Sequence, residues 1–123
     1  MVEQSGDPVG STAFRVGESQ MGEALVLAVS GDVDALRAPQ LAEAIHTALA
    51  TGPATLILDL LMVKFFASAG MTVLVAARTE AEPSTRFGVV ADGSATSRPI
   101  KLMGIDRLLP LYSTLDRALS GIA

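Results

Sequence analysis

The sequence predicts a single α/β domain, a mixed sheet of about five strands with about four helices packed over it in the order ββαβαβαβα. Three observations carry this reading. Short apolar runs of strand type alternate with stretches whose apolar residues recur at helical spacing, as in a largely parallel sheet with crossover helices. "TLILDL" at 55–60 is a near-continuous run of β-branched residues and leucine, the composition of a strand buried on both faces. The 123 residues are half apolar yet only 4% aromatic, so one core must be built from Val, Leu, Ile and Ala.

Taken in order, residues 1–12 hold two acids and neither a basic nor an apolar leader segment, and are expected to form a disordered tail ahead of a domain at 13–123. "AFRVGESQMGEALVLAVS" (13–30) contains two apolar segments around a Gly- and Ser-containing middle, which predicts a hairpin with a loop of several residues. In "APQLAEAIHTALA" (38–50), Leu41, Ile45, Ala48 and Leu49 form a helical stripe, and Pro39 is acceptable in the first turn. "TGPA" breaks the chain before the strand at 55–60. From Ala69 to about Ala81 the residues favour helix, with Pro83 just past its end. "RFGVVA" (86–91) reads as a strand. A shorter helix follows, with Ser94 or Ser97 as its cap and Gly104 in the left-handed position that closes it. "RLLPLY" reads as a short edge strand, because its proline cannot donate to a ladder. "STLDRALSGI" sets Ser113 and Asp116 in capping-box spacing ahead of a last amphipathic helix.

Composition excludes several function classes. The net charge is −4 and no basic run occurs, which argues against nucleic acid and anionic membrane surfaces and favours a protein partner. Cysteine is absent, so disulfides, thiolate metal sites and thiol redox chemistry are ruled out, in keeping with a cytoplasmic protein. The longest uncharged apolar stretch, Phe65 to Ala77, is thirteen residues where a spanning helix needs about 20, so it is expected to be a buried helix. Neither G-x-G-x-x-G nor the P-loop pattern is present, and no cofactor is implied.

"FFASAG" (65–70) places Ser68 between two alanines, open to three roles: nucleophile, helix cap, or a hydroxyl that another protein modifies. Catalysis fares worst. Phe66 stands where a nucleophile elbow needs glycine, and the only histidine, His46, falls mid-helix on the polar side. An N-cap would accept one N–H of the first turn and contribute roughly 1 kcal/mol. A phosphoacceptor is compatible with that place, because orphan N–H groups at a helix start also receive phosphate.

The segment "LILDLLMVKFFASAGMTVLVAA" resembles the central signature of STAS domains, specifically the bacterial anti-sigma factor antagonists, with Asp59, Leu60, Val63, Phe65, Ser68, Gly70 and Met71 matching. Gly31, Asp32, Val33 and Asp34 match a second motif of that family, and Leu102, Gly104, Ile105, Leu108 and Leu109 a third. The closing "STLDRAL" is similar to the usual final segment, so the resemblance runs from about residue 13 to 122 in order.

The resemblance implies a STAS domain that is no enzyme and works as a partner switch. The unmodified antagonist binds an anti-sigma factor with a serine kinase fold, which releases a sigma factor, and phosphorylation of one serine ends the contact. That serine maps onto Ser68, and the family's partner-facing acid onto Asp34. The implied contact set is Asp34, Ala67, Ser68, Ala69, Gly70 and Met71, and any nucleotide and magnesium belong to the partner. One position departs: the signature Asp before the serine is Ala67. That departure motivates an alternative, a module that senses a small ligand or nucleotide, or scaffolds an assembly, with no phosphorylation cycle. Asp34 also has a local reading, as an acid serving the turn and dipole ahead of a helix. Asp59 reads as structural, and the rest of "GMTVLVAA" as core.

Overall fold

A computed structural model describes residues 13–122; the expected tail at 1–12 lies outside them. Five strands, β1 (Arg15–Met21), β2 (Ala24–Val33), β3 (Thr55–Phe66), β4 (Arg86–Val90) and β5 (Leu111–Tyr112), form one sheet in that spatial order. Between and after them come α1 (Ala38–Ala50), α2 (Ser68–Ala81), α3 (Ser97–Leu102) and α4 (Leu115–Ile122), with a 3-10 turn at Ile105–Arg107. β1 is antiparallel to β2, and every later neighbour is parallel, so the sheet is mixed and the predicted order of elements holds.

Alternation along the strands divides the interior in two. Leu25, Leu27 and Val29 of β2 and Leu56, Leu58 and Leu60 of β3 point to the face where Leu41, Ile45, Met71, Leu74 and Ile100 pack from α1, α2 and α3. Ala24, Val26 and Ile57 point the other way, onto Ala118 and Ile122 of α4. The continuous apolar run of β3 is thus explained by helices on both faces. Leu27, Leu56, Leu58 and Leu74 are fully buried, each such side chain contributing on the order of 2 kcal/mol.

The structure corrects several local expectations. The hairpin loop is only Gly22–Glu23, with Gly22 at φ 62, because the polar residues at 17–20 continue the strand rather than leaving it. β3 runs on to Phe66, past the end of its pairing with β4 at Asp59. Its register against β2 shifts twice on the way, and at the first shift the Asp59 carboxylate accepts the Leu61 N–H at 2.9 Å, the structural role expected of that acid. The cap of α4 is Thr114, whose Oγ1 accepts the Arg117 N–H at 3.1 Å, one residue later than the expected Ser113. Neither Ser94 nor Ser97 caps α3: Thr96 holds that position, and Ser97 Oγ ties back to both the N–H and the carbonyl of Gly93. Gly104 has φ 74, the left-handed conformation its place requires.

Candidate partner-binding and modification site

The C-terminal ends of β2 and β3 bring the predicted residues together. Val33 pairs with Phe66 in the parallel register, and one step further the Ala67 N–H donates to the Val33 carbonyl at 2.9 Å. Asp34 and Ser68 each lie one residue past this bond, where α1 and α2 begin at the same end of the sheet.

Ala67, not Ser68, is the N-cap of α2. Its backbone is extended, φ −81 and ψ 169, and its carbonyl accepts the Gly70 and Met71 N–H groups at 2.9 and 3.3 Å. The methyl side chain supplies no capping acceptor. Ser68 is already helical, one residue too late to cap, which overturns the capping role considered from sequence. It is exposed, its hydroxyl makes no hydrogen bond among the described residues, and its carbonyl accepts Thr72 Oγ1 at 3.3 Å. The first-turn N–H groups of α2 thus have no side-chain acceptor from the cap, and the partial positive charge of the helix start is left open.

Asp34 is half-buried and engaged locally. Its Oδ1 accepts the Arg37 N–H at 2.9 Å, and its Oδ2 accepts Arg37 Nη1 at 3.0 Å. Its backbone carbonyl accepts the Ala38 N–H at 2.9 Å, closing the turn into α1. The Arg37 N–H holds the carboxyl below the usual range, aided by the guanidinium charge and opposed by partial desolvation. The local reading of Asp34 therefore describes its geometry.

Two members of the implied contact set lie inside. Gly70 is buried, and a Cβ there would meet the Phe66 ring at 2.9 Å and Val33 Cγ1 at 3.1 Å, so glycine is what lets α2 approach the strand ends. Met71 is 7% exposed and packs in the larger core. The close approach of α2 covers both, while Ser68 is exposed and Asp34, Ala67 and Ala69 are half-buried. Four residues that the sequence reading did not place in the site lie on the same segments. Arg37 was signalled only by Asp-x-x-Arg spacing at a helix entry. Leu36, Met62 and Phe65 are apolar yet 73%, 65% and 53% exposed.

His46 lies elsewhere, on the exposed face of α1, with Nδ1 2.5 Å from Glu80 Oε2 on α2. It is not paired with Ser68. Among the described residues no three His, Cys, Asp or Glu side chains converge as a metal site, and no helix is long and apolar enough to cross a membrane.

A family model described as "Mlab, STAS domain" matches residues 16–110, and the chain belongs to the STAS domain family. It is similar to the anti-sigma-F factor antagonist RsfB of Mycobacterium tuberculosis, 44% identical over 97 residues that span 79% of this chain and 80% of that protein. The crystal structure of an anti-sigma factor antagonist from Mycobacterium paratuberculosis aligns with a TM-score of 0.86 at 40% identity, over 90% of this chain and 95% of the other. The phosphorylated form of the Bacillus cell fate determinant SpoIIAA shares the fold, with a TM-score of 0.60 at 22% identity, over 90% of this chain and all of the other.

Proposed function

We propose that this protein is an anti-sigma factor antagonist that binds a kinase-fold anti-sigma factor in the cytoplasm, frees a sigma factor, and is switched off by phosphorylation of Ser68. The observation that carries the switch is the exposed, unbonded Ser68 hydroxyl on the first turn of α2, beside the strand end that carries Asp34. The name of the 44% identical relative supports the anti-sigma partner.

In the modification, the Ser68 hydroxyl oxygen attacks the γ-phosphorus of a nucleoside triphosphate held by the kinase. The bond to the diphosphate leaving group breaks, and the hydroxyl proton passes to a base on the kinase. The product carries roughly −1.5 to −2 charges, which the start of α2 accepts with a gain of perhaps 1 kcal/mol, so the fold survives. An interface shaped for a neutral hydroxyl does not: a dianion there costs about 2 to 5 kcal/mol, on the order of 30- to several thousand-fold in affinity.

Incubation with the cognate anti-sigma kinase and ATP, followed by intact mass and site mapping, tests the reading. One phosphoryl group on Ser68, with loss of anti-sigma binding, is expected. An unmodified protein, or modification without loss of binding, removes the switch. The second reading, a ligand-sensing or scaffolding STAS module, is favoured by Ala67, which puts a methyl where the family carries a carboxylate beside the acceptor. Thermal stabilisation by a nucleotide, with unchanged partner binding by Ser68→Glu, would select it.

A further inference from the structure

We propose that Arg37 is the internal receiver of a phosphate on Ser68, and that modification pulls its guanidinium off Asp34 and so releases the turn that opens α1. The inference rests on the reading of Ser68 as phosphoacceptor, and it concerns what the phosphate does once present.

The geometry supplies donor, acceptor and proximity. Arg37 and Asp34 are tied by one guanidinium contact at 3.0 Å, and both side chains remain more than a third exposed. A guanidinium has five N–H donors, and the bond to Asp34 leaves four for a second acceptor. Across the bonded pair Val33 and Ala67, Asp34 and Ser68 are each one Cα step of about 3.8 Å away, so their Cα atoms are at most about 13 Å apart. Arg37 folds its guanidinium back onto the Asp34 carboxylate, so the cation is held on the segment that neighbours Ser68.

Charge sets the direction of exchange. A phosphate of nearly two negative charges and three acceptor oxygens outcompetes a single carboxylate for a planar, bidentate donor. Asp34 also accepts the Arg37 backbone N–H, so moving the side chain strains the turn at 34–37 as well as one ion pair. The modification thereby alters the surface at the start of both helices, beyond adding charge at one point. Lys64, exposed on β3, is the other cation on these segments and serves as the control.

The test installs phosphoserine at position 68 during translation, so that no kinase is needed, and follows the second ionisation of the phosphate by phosphorus NMR. That ionisation is expected at a pH lower by at least about 0.5 unit with Arg37 present than in Arg37→Gln, since a nearby cation favours the dianion. Arg37→Lys recovers part of the shift, Lys64→Gln leaves it intact, and Asp34→Asn, which frees Arg37, enlarges it. Backbone amide shifts of unmodified Arg37→Gln confirm that the fold persists. Identical titrations with and without Arg37, or an equal effect of Lys64→Gln, overturn the inference. Loss of anti-sigma binding on phosphorylation with identical titrations leaves the proposed function standing without it; the shifted titration with undiminished binding does the reverse.

Discussion

Ala67 donates its backbone N–H to the carbonyl of Val33 at 2.9 Å, which joins the end of β2 to the start of α2. The bond fixes the spacing of the two residues that follow, Asp34 and Ser68, on a rigid sheet edge rather than on independent loops. A surface read by a partner gains from such placement, because little ordering remains to be done on binding.

Ala67→Asp is expected to stabilise the protein by about 1 kcal/mol, because position 67 already has the extended backbone of an N-cap and lacks only a side-chain acceptor. Urea denaturation measures this as a higher midpoint at constant slope. The same carboxylate would lie beside Ser68, and phosphorylation by the anti-sigma kinase is expected to accelerate. An unchanged rate with a raised midpoint would confine the family's aspartate to capping.

Ser68→Ala is expected to retain anti-sigma binding and resist the kinase, while Ser68→Glu binds at least about tenfold more weakly by calorimetry. Neither should move stability by more than about 0.5 kcal/mol, since the hydroxyl is exposed and bonds to nothing among the described residues. Equal affinities of wild type and Ser68→Glu would contradict the switch.

Gly70→Ala sets two effects in opposition. Helix propensity favours alanine by about 1 kcal/mol, but the new methyl would stand 2.9 Å from the Phe66 ring, and Phe66 is itself 5% exposed with no room to retreat. Overpacking of this kind costs about 1 to 3 kcal/mol, so a net loss near 1 kcal/mol is expected from thermal or urea unfolding. A more stable variant would show that α2 can move off the strand ends.

Much of this architecture was legible because single-face burial leaves a period in the sequence. Leu41, Ile45 and Ala48 form the stripe that packs α1, and 55–60 reads as a strand because helices cover both its faces. β1 was harder, since nearly all of it is exposed and its polar residues imitate a loop. The true start of α2 was hidden by a different cause: alanine carries no capping signature, and only the continuation of β3 to Phe66 makes Ala67 the boundary. Ser68 and Asp34 could be singled out by motif, whereas the burial of Gly70 and Met71 depends on how closely α2 approaches Val33 and Phe66. The Arg37 contact depends on side-chain rotamers, which spacing alone does not fix.

The pH dependence of stability follows from His46 and Glu80, which bridge α1 to the last turn of α2. Glu80 raises the ionisation of His46 above its ordinary value of 6.5, chiefly through their hydrogen bond and then through charge, with a smaller contribution from Glu43. A histidine whose folded value is raised binds its proton more tightly when folded, so its contribution is complete below 6.5 and declines as pH rises through the folded value. As pH rises above 6.5 and through the raised folded value, wild type should therefore lose stability relative to His46→Gln, whose curve lacks this ionisation. Both partners are exposed, so the difference should also shrink in high salt. Asp34 acts in the opposite sense, its contribution present above 3.8 and lost as pH falls through its lowered folded value. The two windows do not overlap, and parallel stability curves for wild type and His46→Gln above pH 6.5 would show that the bridge is not populated in solution.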